Sequence, residues 1–152
     1  MLVKEIMNKN SVICTEDTSL EKVFELMTQS GSDYVSVVES RAHPMPIGTI
    51  TERDICLQII GKGRNPRGMT AANVLNTNVV KALNDLTTNE CLRLMQIKSS
   101  ERVFIVDEDG ILCGTITRTE IEKSADKKPS AGNALSDAAS YSYISPGINR
   151  IF

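Results

Sequence analysis

The feature that most constrains this 152-residue chain is that most of it is written twice. Residues 4–39 align without gaps to residues 72–107 at an offset of 68, placing Asn8 on Asn76, Asn10 on Asn78, Val12 on Val80 and Asp17 on Asp85. Leu26, Met27, Ser32, Val35 and Val38 recur as Leu94, Met95, Ser100, Val103 and Val106. The offset then falls to 66, because the stretch from Ser40 to Pro46 is two residues longer than its counterpart around Asp109 and Gly110. A hairpin loop absorbs such a change. The match resumes with Gly48-Thr49-Ile50-Thr51 on Gly114-Thr115-Ile116-Thr117 and Ile55 on Ile121. A chain repeated in this way must build one supersecondary unit twice.

Hydrophobic periodicity gives the unit its order. Val12 and Ile13 form a short apolar pair, followed by Leu20, Val23, Phe24 and Met27 at helical spacing behind a Thr18 to Glu21 capping box. The β-branched runs at 34–38 and 47–50 flank a loop with two prolines, Arg41 and His43, and read as a hairpin. A second helix starts at Thr51, with Ile55, Cys56, Ile59 and Ile60 on one stripe and Gly61 at its end. The second copy repeats this with Val79 and Val80, then Cys91, Leu92 and Met95, then 103–106, then 111–116, then a less apolar helix from Thr117. The predicted class is α/β (α+β), two β-α-β-β-α repeats related by an approximate twofold, since three short strands cannot bury both sheet faces alone. The first repeat is expected over 1–61, a basic Gly/Pro-broken linker over 62–70, the second repeat over 71–125 and a tail over 126–152.

Composition narrows the function. Apolar residues at 41% and charged residues at 24% are ordinary globular usage. Seventeen Lys and Arg against nineteen Asp and Glu give a net charge of −2, so any anion site must be local. No run is long and apolar enough for a membrane helix, and the first ten residues lack a signal-peptide core, so a cytoplasmic protein is expected. Cys14, Cys56, Cys91 and Cys113 form no CxxC pair and His43 is the single histidine, which argues against zinc and against Cys/His catalysis. All four cysteines are expected in the core, as are Met27 and Met95. The acidic tip 107–109 reads as solvated, and Lys62, Arg64 and Arg67 as a solvated linker without stacking aromatics.

The heptads Gly48-Thr49-Ile50-Thr51-Glu52-Arg53-Asp54 and Gly114-Thr115-Ile116-Thr117-Arg118-Thr119-Glu120 make the chain, over about residues 1–125, resemble the tandem cystathionine-β-synthase (CBS) domain, or Bateman module. Glu5-Ile6-Met7 and Val35-Ser36-Val37-Val38-Glu39 add to the resemblance, with Ser36 and Phe104 where the family tends to carry proline. The resemblance implies a non-catalytic regulatory module that pairs as a homodimer, binds adenine nucleotide or an adenosyl ligand (AMP, ADP, ATP or S-adenosylmethionine) in clefts between motifs, and modulates a separate effector protein. The residues themselves are compatible. Gly48 admits close approach of a backbone or ligand, and Thr51 opens a helix whose N–H groups attract phosphate. Asp54 can accept from both ribose hydroxyls, and Arg53 and Arg118 are candidate phosphate partners. Val12, Ile13, Ser32, Asp33 and Tyr34 are expected around the base, with Tyr34 stacking on it. In the second copy the corresponding set is Val80, Arg102, Thr117, Arg118 and Glu120, where Glu120 replaces aspartate and Arg102 replaces the tyrosine ring, so the two sites are not expected to be equivalent.

Two other readings stand beside this one. Thr-x-x-Asp and Thr-x-x-Glu at helix starts are also plain capping boxes, contributing on the order of 1 kcal/mol, which suits an interaction adapter that binds no nucleotide. Nucleic-acid binding through Arg64 and Arg67 is the other. Beyond the repeats, Tyr141, Tyr143, Ile144, Ile148, Ile151 and Phe152 concentrate apolar mass, expected to pack on a neighbouring subunit or on the module's own exposed face.

Overall fold

The computed structural model describes residues 1–127. The tail residues singled out above lie outside that range. Two three-stranded sheets, each carrying helices, account for the described chain, an α/β architecture of two β-α-β-β-α repeats.

In the first repeat, β1 (Ile13–Cys14) runs parallel to β2 (Tyr34–Val38), which pairs antiparallel with β3 (Pro46–Thr51). Helix α1 (Leu20–Ser30) supplies the crossover that a parallel pair requires. Helix α2 (Glu52–Ile55) follows β3 directly and widens into a π-helical turn over Cys56–Ile60. The second repeat gives β4 (Lys81–Leu83), α3 (Thr88–Lys98), β5 (Arg102–Val106), β6 (Leu112–Thr117) and α4 (Arg118–Asp126) in the same pairing order. The hairpin registers agree residue for residue: Tyr34 faces Thr51 and Arg102 faces Thr117, each hairpin with one irregularity near its loop.

The compact units do not follow the repeats. Among the described residues, one consists of Asn10–Val79, the other of Met1–Lys9 with residues 80–127. Each repeat therefore gives its leading segment to the other's unit. Ala71 and Val74 join Cys14, Val23, Val35, Val37 and Ile50 in the first unit's core, as Val3 joins Ala82, Cys91, Leu94, Val103 and Ile116 in the second. The leading segment then bridges the hairpin: Asn76 and Thr49 exchange two backbone hydrogen bonds at 3.0 Å, and Asn8 and Thr115 do the same at 2.8 and 3.0 Å. This is where the glycines matter. A Cβ on Gly48 would press into Leu75 and lie 2.6 Å from the Asn76 carbonyl oxygen, and one on Gly114 would lie 2.7 Å from that of Asn8. Backbone, one of the two partners expected for Gly48, makes this close approach.

Several local expectations are corrected. The α1 cap is Ser19, whose hydroxyl accepts from Lys22 N–H at 3.2 Å, and not a Thr18–Glu21 box. Thr18 instead accepts from Thr15 N–H at 3.1 Å. Strand β4 begins at Lys81, past the Val79–Val80 pair, because the second unit's ladder starts only where Val80 C=O accepts from Phe104 N–H. Phe24 is 59% exposed, Ile60 77% exposed and Cys56 exposed, so none of the three is core. The π turn, with Gly61 N–H reaching back to the Cys56 carbonyl, takes in more residues per turn than an α-helix and rotates its last positions out of the stripe.

Candidate functional site

Eight predicted residues of the first unit gather at one end of its sheet. Ser36 N–H donates to the Val12 carbonyl at 2.9 Å and Ser36 stands opposite Ile13, which sets β1 beside β2. A proline at 36 could not make this bond. The Ser32 hydroxyl donates to Tyr34 C=O at 2.9 Å and accepts from Tyr34 N–H at 3.3 Å, closing the bend that leads into β2. Ser100 repeats this around Arg102 at 2.8 and 3.3 Å. Tyr34 is buried, and across the ladder from it Thr51 ends β3 and caps α2.

The threonine corner is a reciprocal cap. Thr51 Oγ1 accepts from Asp54 N–H at 3.1 Å, while Asp54 Oδ2 accepts from both Thr51 N–H and Thr51 Oγ1–H at 2.9 Å. Both bonds to the carboxylate fall on Oδ2, which leaves Oδ1 uncommitted among the described residues. Glu52 N–H is taken by the Asp33 carbonyl at 3.2 Å. Of the first three helical N–H groups this leaves one, that of Arg53, whose exposed guanidinium makes no ion pair among the described residues. The corner can therefore present one carboxylate oxygen, one backbone donor and one exposed cation.

The second unit builds the same corner and leaves less over. Glu120 Oε2 accepts from Thr117 N–H at 2.8 Å and Oγ1–H at 3.0 Å, and Glu120 N–H donates to Thr117 Oγ1 at 3.3 Å. Arg118 N–H donates to the Glu101 carbonyl at 3.1 Å and its Nε to Glu101 Oε2 at 3.2 Å. Glu101 is largely exposed, so the pair adds little stability, yet it neutralises the cation expected to meet phosphate. Sequence reasoning passed over Glu101, although its spacing, directly before Arg102 and opposite the corner, is that of Asp33 in the first copy. Val80 and Arg102 lie beside β5 and on it, as Val12 and Tyr34 do beside and on β2.

Two concave surfaces lie within the units. A hollow of about 520 Å³ at the hairpin end of the first sheet is lined by Thr15, Glu16, Asp17, Glu39, Arg41 and Ile47 among others, away from the Thr51 corner. A groove of about 460 Å³ in the second unit includes a single predicted residue, Glu120. Burial pushes the Cys14 thiol up to about 11 and that of Cys91 to about 12, so both are held as inert thiols. Among the described residues no group of three His, Cys, Asp or Glu side chains is placed to hold a metal ion, and no helix is long and apolar enough to cross a membrane.

The CBS domain model matches residues 3–61 and 71–126. An uncharacterized protein of Methanopyrus kandleri is 32% identical over 105 residues, covering 69% of this chain and 52% of that protein. The chain thus spans about half the length of this curated relative. Among solved structures, CBSX2 in complex with AMP is 18% identical with a TM-score of 0.68, over 83% of this chain and 96% of that one. The CBS domain pair of MJ0100, in complex with 5′-methylthioadenosine and S-adenosyl-L-methionine, is 19% identical with a TM-score of 0.69, over 82% and 99%.

Proposed function

Because this chain belongs to the CBS-domain family, we propose that it is a regulatory ligand-sensing module that binds an adenine nucleotide or adenosyl ligand (AMP, ADP, ATP or S-adenosylmethionine), works as a cytoplasmic homodimer and modulates a separate effector protein without catalysing a reaction. The observation that carries this reading is the Thr51–Asp54 corner, where a half-buried carboxylate keeps Oδ1 uncommitted beside the Arg53 N–H and guanidinium. A vicinal ribose diol matches a carboxylate acceptor, and a phosphate matches an N–H at a helix start with a cation next to it. The adenosyl ligands of CBSX2 and of the MJ0100 pair support the same ligand class. Val12, Ile13, Ser32, Asp33 and Tyr34 would surround the base, and Val80, Arg102, Thr117, Arg118 and Glu120 would form the weaker second site.

Sensing requires differential binding. A ligand at a hundredfold excess over Kd stabilises the form it prefers by about 2.7 kcal/mol, and the effector must distinguish that form from the other. The test is a thermal-shift titration with AMP, ADP, ATP and S-adenosylmethionine at millimolar concentration. At least one is expected to raise the melting temperature, and Asp54→Ala to weaken it about tenfold or more, equivalent to about 1.4 kcal/mol, with Glu120→Ala weakening it less. No shift with any of the four would remove the sensing proposal. It would favour the adapter reading, which draws on the fact that both corners already satisfy their own hydroxyls as helix caps.

A further inference from the structure

Helix α1 and the α2 run with its π turn cover the same face of the first sheet. Val23 and Met27 of α1 and Ile59 of the π turn share one core cluster with Val35 and Ile50, which stand opposite each other on the hairpin. Their outward stripes therefore look the same way, and neither is the wholly polar stripe of a solvated helix. On α1 the exposed positions at helical spacing are Glu21, Phe24, Glu25 and Thr28, with Phe24 59% exposed. On the α2 run they include Arg53, Leu57 and Ile60, with Leu57 53% and Ile60 77% exposed. The duplication supplies a control. At the offset of 66 these three positions become Thr119, Lys123 and Asp126, exposed as well, and at the offset of 68 Phe24 becomes buried Leu92. The second copy builds the same fold without exposed apolar side chains at these places, so those of the first unit answer to something outside the chain's own core.

Building on the homodimer reading above, we propose that a second copy of this chain covers these stripes, α1 of each copy packing on the α2 run of the other, so that the copies meet through their first units. Charge selects this pairing. Glu21 and Glu25 flank Phe24, whereas Arg53 stands at the start of the α2 run and Lys62 follows Ile60. Packing α1 on α1 sets carboxylate against carboxylate, packing α2 on α2 sets cation against cation, and only the crossed arrangement opposes unlike charges. Glu25 already meets Lys22 at 3.3 Å on its own helix, so Glu21 is the freer of the two. A crossed contact is made twice about a twofold axis and closes on itself, leaving neither stripe open. Phe24, Leu57 and Ile60 form its apolar centre, and the charged residues form a rim that fixes orientation more than it adds affinity.

Sedimentation equilibrium of the full chain at micromolar concentration tests this. The wild type is expected at twice the chain mass. Leu57→Asp with Ile60→Asp should raise the dimer dissociation constant about a hundredfold, while Lys123→Asp, at the counterpart of Leu57, should leave it unchanged. Reversing α1 by Glu21→Arg with Glu25→Arg, or the α2 run by Arg53→Glu with Lys62→Glu, should each weaken association about tenfold. All four changes together should restore it, a rescue that misfolding cannot imitate. A dimer untouched by Leu57→Asp with Ile60→Asp, or charge reversals that add instead of cancelling, overturns the crossed contact and leaves the homodimer standing. A wild type of single-chain mass overturns both and leaves the stripes to a different partner.

Discussion

The Thr51–Asp54 corner of the first unit and the Thr117–Glu120 corner of the second have nearly the same cap, with bonds of 2.9 to 3.1 Å in one and 2.8 to 3.3 Å in the other. Their difference lies in the neighbours. The cation of the first corner is Arg53, second in its helix and without an ion pair among the described residues, whereas Arg118 is first in its helix and held by Glu101. Two copies of one motif can thus agree in every bond that builds the fold and still differ in what they offer a ligand. Under the proposed function, the atoms that build each cap and the atoms left for a ligand are different ones.

The strongest way to break this symmetry of construction is at the glycines. Gly48→Ala and Gly114→Ala each force a Cβ toward a backbone carbonyl, and each is expected to cost about 3 kcal/mol at the upper end of overpacking, read by chemical denaturation. Gly48→Ala should be the worse, since Leu75 blocks it in addition. An unchanged midpoint in either variant would mean that the leading segment is not seated as described.

The buried thiols compare the units next. Cys14 lies in the first core and Cys91 in the second, with pKa values raised by burial from 9.0 to about 11 and about 12. A folded-state value above the unfolded one means that the stabilising contribution is complete below pH 9 and is lost as pH rises, through about 11 for the first unit and about 12 for the second. Shifts of two units for Cys14 and three for Cys91 mean about a hundredfold and about a thousandfold less thiolate, so at pH 8 alkylation should strike exposed Cys56 first and Cys14 and Cys91 only through opening of their own units. Mass spectrometry of alkylated peptides reads the two openings separately.

The smallest effect is expected at the ends of α1 and α3. Gly31 closes α1 at φ 66, and Ser99, its counterpart, closes α3 at φ 51, the one non-glycine residue with positive φ among those described. Ser99→Gly should therefore raise the melting temperature by the equivalent of about 1 kcal/mol. An equal gain is not available at Gly31, and a neutral result would show that Ser99 bears no strain.

Much of the fold was legible because repetition checks each local reading against a second copy. Strand β2 falls where the β-branched run placed it, and the identity of Ser32 with Ser100 marks the same bend twice. The cap of α1 was misplaced by one residue because Thr18 and Ser19 are both competent caps, and only tertiary contact decides: Leu20 N–H donates to the Met69 carbonyl. Phe24 and Ile60 have the right spacing for a buried stripe, but periodicity gives the direction of a stripe and not its width. The Thr51 corner was legible as a motif. Glu101 was not, since its pairing with Arg118 depends on the β5–β6 hairpin bringing together residues seventeen apart. Nor does any local signal reveal which hairpin a leading segment will join, since the bridges at Asn8 and Asn76 use backbone groups that leave no mark in the sequence.

The exchange of those segments sets the period of inheritance and the period of folding out of phase by about nine residues. A cut at the repeat boundary would strand Val3 on one fragment and Ala71 and Val74 on the other, each away from the core it fills. Recombination that shuffles whole repeats must accordingly move a borrowed strip with every half, which ties the evolutionary fates of the two halves more closely than their separate cores would suggest.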